Sequence, residues 1–235
     1  MIVTDLSPRT LGTVDIDADR DAAREWIGQR YATVAPDCVR LNMITSLTGS
    51  AVGADGTSET LTGGADRLIL SAIRAAADAV IVGAQTVRAE GYLLPRSATL
   101  AVVTHSGSLE GLRVPPDHQR PLVVLCPESR TGQVEASVAH LPAEVVGLAG
   151  DEPTPAQIVD ALQARGLRRL VCEGGPSLAR QFAAAKIIDE YCITVAPRLT
   201  PADHPFLGIT TDIETEVVGH LVDEAGFTYL RLRSL

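Results

Sequence analysis

Twice in this chain a short apolar run reaches a glycine and turns straight into a helix. Ala79-Val80-Ile81-Val82 leads to Gly83 and the helix start Ala84-Gln85-Thr86-Val87; Leu170-Val171-Cys172-Glu173 leads to Gly174, Gly175 and Pro176-Ser177-Leu178. Apolar runs this short, bounded by glycine, read as strands covered on both faces. Such strands alternating with helices need right-handed crossovers, and hence a mostly parallel sheet. Further strands are expected at Thr99–Thr104, Leu122–Cys126 and Val145–Leu148, with helices at Thr154–Arg165 and Pro176–Ala185. The end of the chain breaks the alternation. Glu190–Val195, Glu216–Val222 and Thr228–Leu232 read as strands, the last two joined by a turn at Asp223–Gly226. The expected class is α/β: a mostly parallel central sheet flanked by helices, with an antiparallel C-terminal edge.

Ahead of the first junction, residues 1–16 read as an irregular lead-in and Ile16–Thr33 as a helix with Ala23 and Ile27 on one side, stopped by Pro36. Cys38–Leu47 alternates β-formers with polar residues as a strand does. Gly49, Gly53 and Gly56 then make a loop, and Thr62 is the expected N-cap of a helix running to Ala77 with Asp66 in its first turn. The organisation expected is an N-terminal extension with a helix over 1–35 and a single domain over 36–235, in which Gly107–Pro121 is a surface loop.

Composition narrows the function. Hydrophobic residues at 46% and charged residues at 21% support a sizeable core. With 20 Lys+Arg against 29 Asp+Glu the net charge is -9, which argues against nucleic acid as a partner while leaving room for a local phosphate pocket. Cys38, Cys126, Cys172 and Cys192 lie far apart with no C-x-x-C pair, as in a reducing, cytoplasmic setting. The five histidines show no metal-binding spacing, so no bound metal is expected. No apolar run approaches the ~18 residues that would suggest a membrane span.

Each glycine junction brings backbone N–H groups and a helix N-terminus to the carboxyl end of a strand, where open α/β sheets bind ligands. Together the two suit the ends of one pyrophosphate, although either alone is as readily a tight turn. There is no G-x-G-x-x-G and no Walker A motif. Glu173 stands at the strand end facing that crevice, placed to hold a polar substrate or pass a proton, or simply to cap a loop. Asn42, Thr45, Ser46 and Thr48 form a row of short hydrogen-bonding side chains suited to a polar ring, a ribose or solvent. Ser58 and Thr62 extend it, and Arg96 follows as a phosphate partner or a surface arginine.

Taken in order, S-L-T-G at Ser46–Gly49, T-G-G at Thr62–Gly64, A-A-A-D-A-V-I-V-G-A-Q-T-V-R at Ala75–Arg88, E-G-G-P-S-L at Glu173–Leu178, D-E-Y at Asp189–Tyr191 and A-P at Ala196-Pro197 form a set. This set resembles the riboflavin-biosynthesis pyrimidine reductase family, the C-terminal domain of the bifunctional deaminase-reductase. The resemblance implies a dihydrofolate-reductase-like fold and NADPH-dependent reduction of the ribose of a ribosylamino-pyrimidine 5′-phosphate to a ribityl chain. It implies Gly83, Thr86 and Val87 at the cofactor phosphates, Gly174, Gly175, Pro176, Ser177 and Leu178 on the other side of the pyrophosphate, and Thr45, Thr104 and Ser106 as further cofactor contacts. Asn42, Ser58, Leu61, Thr62 and Glu173 would face the substrate, Arg96 its 5′-phosphate. Glu173 is the first catalytic candidate and Thr48 the second. A small phosphorylated substrate and a homodimer are the implied partners, with neither nucleic acid nor membrane.

Three departures fall on the substrate side. Thr48 replaces the family's aspartate in S-x-D-G, Asn42 replaces a lysine common in bifunctional members, and Glu90-Gly91 lacks the proline of D-N-P. A hydroxyl carries no charge in place of the carboxylate. A pterin or other small imine or carbonyl compound, or NADPH binding without catalysis, are the alternative readings. The zinc-deaminase signatures H-x-E and P-C-x-x-C are absent, so no deamination is expected.

Overall fold

The computed structural model describes residues 1–7, 12–32, 35–90, 95–109 and 122–235. The strands among them are β1 (Ile2–Asp5), β2 (Gly12–Asp15), β3 (Cys38–Ser46), β4 (Ala79–Gly83), β5 (Thr99–Val103), β6 (Leu122–Pro127) and β7 (Ala143–Leu148), then β8 (Arg169–Gly174), β9 (Glu190–Ala196), β10 (Thr215–Asp223) and β11 (Thr228–Ser234). The helices are α1 (Arg20–Tyr31), α2 (Asp66–Ala75), α3 (Ala84–Glu90), α4 (Thr131–Val138), α5 (Pro155–Gln163) and α6 (Pro176–Ala184). All the strands join one sheet in the order β2-β1-β10-β11-β9-β3-β8-β4-β5-β6-β7. From β9 to β7 the neighbours are parallel; from β9 through β11, β10 and β1 to β2 they are antiparallel.

The core lies on both faces of this sheet, and strands such as β4 (AVIVG) and β6 (LVVLCP) are apolar at every position. On β4, Ala79 and Ile81 join one cluster, with Ile158 and Leu162 of α5 and Leu178 and Phe182 of α6. Val80 and Val82 join the other, with Ile27 of α1, Ile69 and Ile73 of α2 and Val87 of α3. Among the described residues no helix is long and apolar enough to cross a membrane.

Three expectations change. The lead-in is not irregular: β1 and β2 form a hairpin that extends the sheet past β10. Its polar residues concealed it, since the buried Asp5 answers Arg30 of α1 at 2.8 Å. Next, α1 begins only at Arg20, because the Asp19 carboxylate accepts from the N–H groups of Asp21 and Ala22, both at 3.0 Å; Thr33, at the far end of the expected helix, lies outside the described residues. The third change concerns α2, whose N-cap is Ala65 and not Thr62. Its cap comes from across the fold. The Ala65 N–H donates to Asp223 Oδ2 at 3.0 Å and to the Tyr229 hydroxyl at 2.8 Å, and that hydroxyl donates to the same carboxylate at 2.6 Å. Gly64 makes this approach possible: its φ is +54°, and a Cβ there would land on the Asp223 carboxylate. Beyond these, α4 was not expected. Only Val134 and Val138 are buried on it, and Gly132 weakens its helical signal.

A buried charge cluster ties α1 to the sheet. Arg40 of β3 and Arg231 of β11 both hold Glu190 of β9, at 2.8 and 2.7 Å, and Arg40 also donates to the Tyr31 carbonyl at 2.7 Å.

Candidate functional site

The parallel strands β3, β4, β5 and β8 direct their carboxyl ends to one side of the molecule, and a cavity of about 680 Å³ opens there. Volumes of this order suit a cofactor or a drug-sized ligand. One wall is built from the two glycine junctions. Thr86, in the first turn of α3, accepts a hydrogen bond from the Gly175 N–H at 2.8 Å, which fastens the start of α3 to the start of α6. Gly175 is the N-cap of α6 and offers no side-chain cap, so the first N–H groups of that helix face the cleft without a competing carboxylate or hydroxyl. A Cβ on Gly175 would lie 2.7 Å from Thr86 Oγ1, and one on Gly174, whose φ is +79°, 3.0 Å from Met43 Sδ. The Gly174–Gly175 peptide is cis.

The pairing of β4 with β8 slips at this point: Ile81 faces Cys172, but Val82 faces Gly174. Glu173 is therefore the extra residue of a bulge, a device that re-aims a side chain at a strand end. It reaches Arg74 near the end of α2, with Nε to Oε1 at 2.8 Å and Nη2 to Oε2 at 2.6 Å. Both side chains are largely buried, 7% and 17% exposed. Asn42 and Ile44 of β3, Thr62, and Asp66 and Leu70 of α2 complete this second wall.

Asp66 was expected only as a first-turn carboxylate, and the structure brings it into the cavity. Burial pushes its carboxyl up from 3.8 to about 6; the charge of Glu173 adds to the rise, while a hydrogen bond from Thr194 and the Arg67 guanidinium oppose it. The sequence signal for its position was the Gly63-Gly64 pair, which swings the first turn of α2 toward the strand ends. Burial also raises the Cys172 thiol, to about 12, which leaves it inert beneath the site.

Of the expected site residues, Asn42, Ser58, Thr62, Gly83, Thr86, Thr104, Ser106, Glu173, Gly175, Pro176, Ser177 and Leu178 line the cavity. The Thr104 hydroxyl also closes the turn after β5, accepting from the Gly107 N–H at 3.1 Å and donating to the Ser108 carbonyl at 3.3 Å. Other expected residues stand elsewhere. Leu61 and Val87 are buried in the core beneath α2 and α3. Thr45 is buried, its hydroxyl turned back to the Ser46 carbonyl at 3.1 Å. Thr48 is exposed and fastens the segment after β9, donating to the Thr200 carbonyl at 2.5 Å and accepting from its N–H at 3.1 Å. Gly174 forms the bend under the cavity without lining it, and Arg96 is exposed outside the lining. Gly91, in the departure noted above, and most of the Gly107–Pro121 loop lie outside the described residues. Residues not foreseen but lining the cavity include Asp66, Arg74, Arg88, His105 and His204.

A parallel sheet with an antiparallel extension, open at the strand ends onto a cleft floored by two glycine–helix junctions, defines a dihydrofolate-reductase-like α/β protein. Residues 37–212 match the RibD C-terminal domain family, and the chain belongs to that family. It is 35% identical over 176 residues, 75% of its length, to riboflavin biosynthesis protein RibD of Mycobacterium tuberculosis. That match takes in 46% of the relative, so the chain spans about half the length of the curated proteins it resembles. Among solved structures, a pyrimidine reductase-like protein from Corynebacterium diphtheriae superposes with a TM-score of 0.74 at 24% identity, over 89% of this chain and 98% of that one. Acinetobacter baumannii RibD superposes at 0.67 and 21% identity, over 85% of this chain and 58% of that one.

Proposed function

We propose that this chain is an NADPH-dependent reductase that converts the sugar of a ribosylamino-pyrimidine, in its open imine form, to a ribityl chain. The observation that carries the reading is the Thr86–Gly175 hydrogen bond, which joins both glycine junctions into one cradle facing a wall with two carboxylates. The residues fit the cofactor. Gly83, Thr86 and the Ser177 and Leu178 N–H groups at the start of α6 offer donors, and Gly175 close backbone approach, to a pyrophosphate. Thr104, His105 and Ser106, with Arg88 beside them, suit the adenosine 2′-phosphate. NADPH, when bound, supplies a hydride to the imine carbon.

The chain's own residues supply the rest. Hydride addition to a C=N carbon requires a proton at the nitrogen, and Asp66 is the cleft carboxyl suited to hold it. The proton passes from Asp66 to nitrogen, a secondary amine forms, and Asp66 regains a proton from water. Glu173 has both oxygens accepting from Arg74, which suits an acceptor for substrate N–H groups better than a donor. Asn42, Ser58 and Thr62 present hydrogen-bonding groups for the sugar. Holding the reacting atoms in place in such a cleft is worth about 7–11 kcal/mol of barrier.

The test is a nicotinamide-fluorescence titration followed by NADPH oxidation with a ribosylamino-pyrimidine and, separately, with dihydrofolate. Binding and turnover with the first compound is the expected result. Turnover of dihydrofolate alone would move the chain to pterin chemistry, and tight binding with neither oxidised would make it a cofactor-binding protein. The homodimer implied by the resemblance is checked by light scattering.

A further inference from the structure

Two chain segments cross at the rim of the cleft. Ser50 and Pro205 pair there as an isolated antiparallel bridge. It is flanked by hydrogen bonds from the Ala51 N–H to the His204 carbonyl at 2.7 Å and from the Phe206 N–H to the Gly49 carbonyl at 3.0 Å. Proline suits its place, because this bridged pair exchanges no hydrogen bond of its own and needs no N–H. The brace continues along both segments: the Leu47 N–H donates to the Arg198 carbonyl at 2.9 Å, and Thr48 holds Thr200.

Register decides which side chains enter the cleft. With Ser50 opposite Pro205, Ala51 stands opposite His204, and directly opposed residues of an antiparallel pair share a face. Both line the cavity. The brace lies on the α6 face of the sheet. Ala51 and Leu207 are buried in the cluster that contains Leu178 and Phe182 of α6, with Val52 and Phe206 packed against it. Beyond His204, a Cβ on Gly208 would lie 3.5 Å from Arg180 Cδ of α6. Ile69 and Ile73 of α2, the helix that carries Asp66 and Arg74, pack on the other face. On α6 itself, Gln181 lines the cavity about one turn beyond Ser177. His204 thus stands on the side of the cleft where α6 begins, across the sheet from the helix of the substrate wall.

We propose that His204 is a cofactor-binding residue: the brace delivers its imidazole to the pyrophosphate of NADPH, opposite the Ser177 and Leu178 N–H groups that begin α6. The proposal rests on the reductase reading and adds a residue to its cofactor site. Backbone donors meet the pyrophosphate from one side; an imidazole N–H supplies a donor from the other, charge-assisted by the phosphate oxygens. The brace engages the His204 carbonyl, so the side chain can be exchanged while those hydrogen bonds remain.

The experiment compares the unaltered chain with His204→Ala and His204→Gln, by nicotinamide-fluorescence titration with NADPH and by thermal scans of the free protein. His204→Ala should bind NADPH about tenfold more weakly, as expected for one lost hydrogen bond to a charged group, and should keep the Tm of the unaltered chain. His204→Gln retains an N–H donor and should recover most of the affinity. Equal NADPH affinity for His204→Ala and the unaltered chain overturns the proposal. So does a loss that glutamine leaves unrelieved, or one accompanied by a lower Tm, since either would trace to the brace and not to a contact. Failure of the unaltered chain to bind NADPH would instead overturn the reductase reading.

Discussion

Asp66 and Glu173 face one cleft, yet their surroundings assign them different work. Burial and the neighbouring Glu173 charge keep the Asp66 proton on up to about pH 6, whereas Glu173 is gripped at both oxygens by Arg74. Asp66→Asn should therefore lower kcat about 100-fold, the low end for a lost general acid, with NADPH affinity unchanged in a fluorescence titration. The sign for pH follows. The acid form is the active one, so turnover should fall as pH rises through about 6, and the substitution should abolish that limb. Stability moves the same way. A carboxyl whose folded value lies above its unfolded one favours the folded state least once ionised, so stability is lost between pH 3.8 and about 6. Asp66→Asn should accordingly gain about 1–3 kcal/mol above pH 6 and nothing below pH 3.8 in denaturant titrations. Arg74→Met leaves Glu173 buried without its guanidinium and should cost about 3 kcal/mol in the same titrations.

At the scale of elements, the site depends on how closely α3 and α6 start beside each other. Gly175→Ala puts a methyl 2.7 Å from Thr86 Oγ1, and the two helix starts must part. NADPH affinity should fall at least about tenfold while circular dichroism stays that of the unaltered chain. Much of this was legible in the sequence. The runs around Val80–Gly83 and Leu170–Gly175 announced both strands, both helices and their shared cleft, because buried parallel strands admit few polar residues. The substrate wall was not legible, for a different physical reason. Glu173 is aimed by a register slip between β4 and β8 that leaves no local pattern, and Asp66 by a helix cap supplied from about 160 residues away, of which the Gly63-Gly64 pair is the local sign. Thr48, within the S-L-T-G run, ties down a loop, and Leu61 fills the core; the sequence alone did not separate these positions from the cleft wall.

For the molecule as a whole, β1 and β2 and the C-terminal strands are parts of one sheet. Val3, Ile27 and Tyr31 are buried in the core that supports α2, and deleting residues 1–35 should lower Tm by more than about 10 °C in a thermal scan. The opposite end of the chain carries a less obvious dependence. Among the described residues, those lining the cleft fall between Asn42 and His204, within the 37–212 span that defines the family, yet Asp223 and Tyr229, which anchor the first turn of α2, lie beyond it. A protein trimmed to the family span would keep its whole inventory of contacts and lose the hinge-pin of the helix that presents Asp66 and Arg74. The terminal hairpin thus sets the tilt of the substrate wall from outside, and sequence drift there can retune which compounds a relative accepts without altering a single residue that touches them.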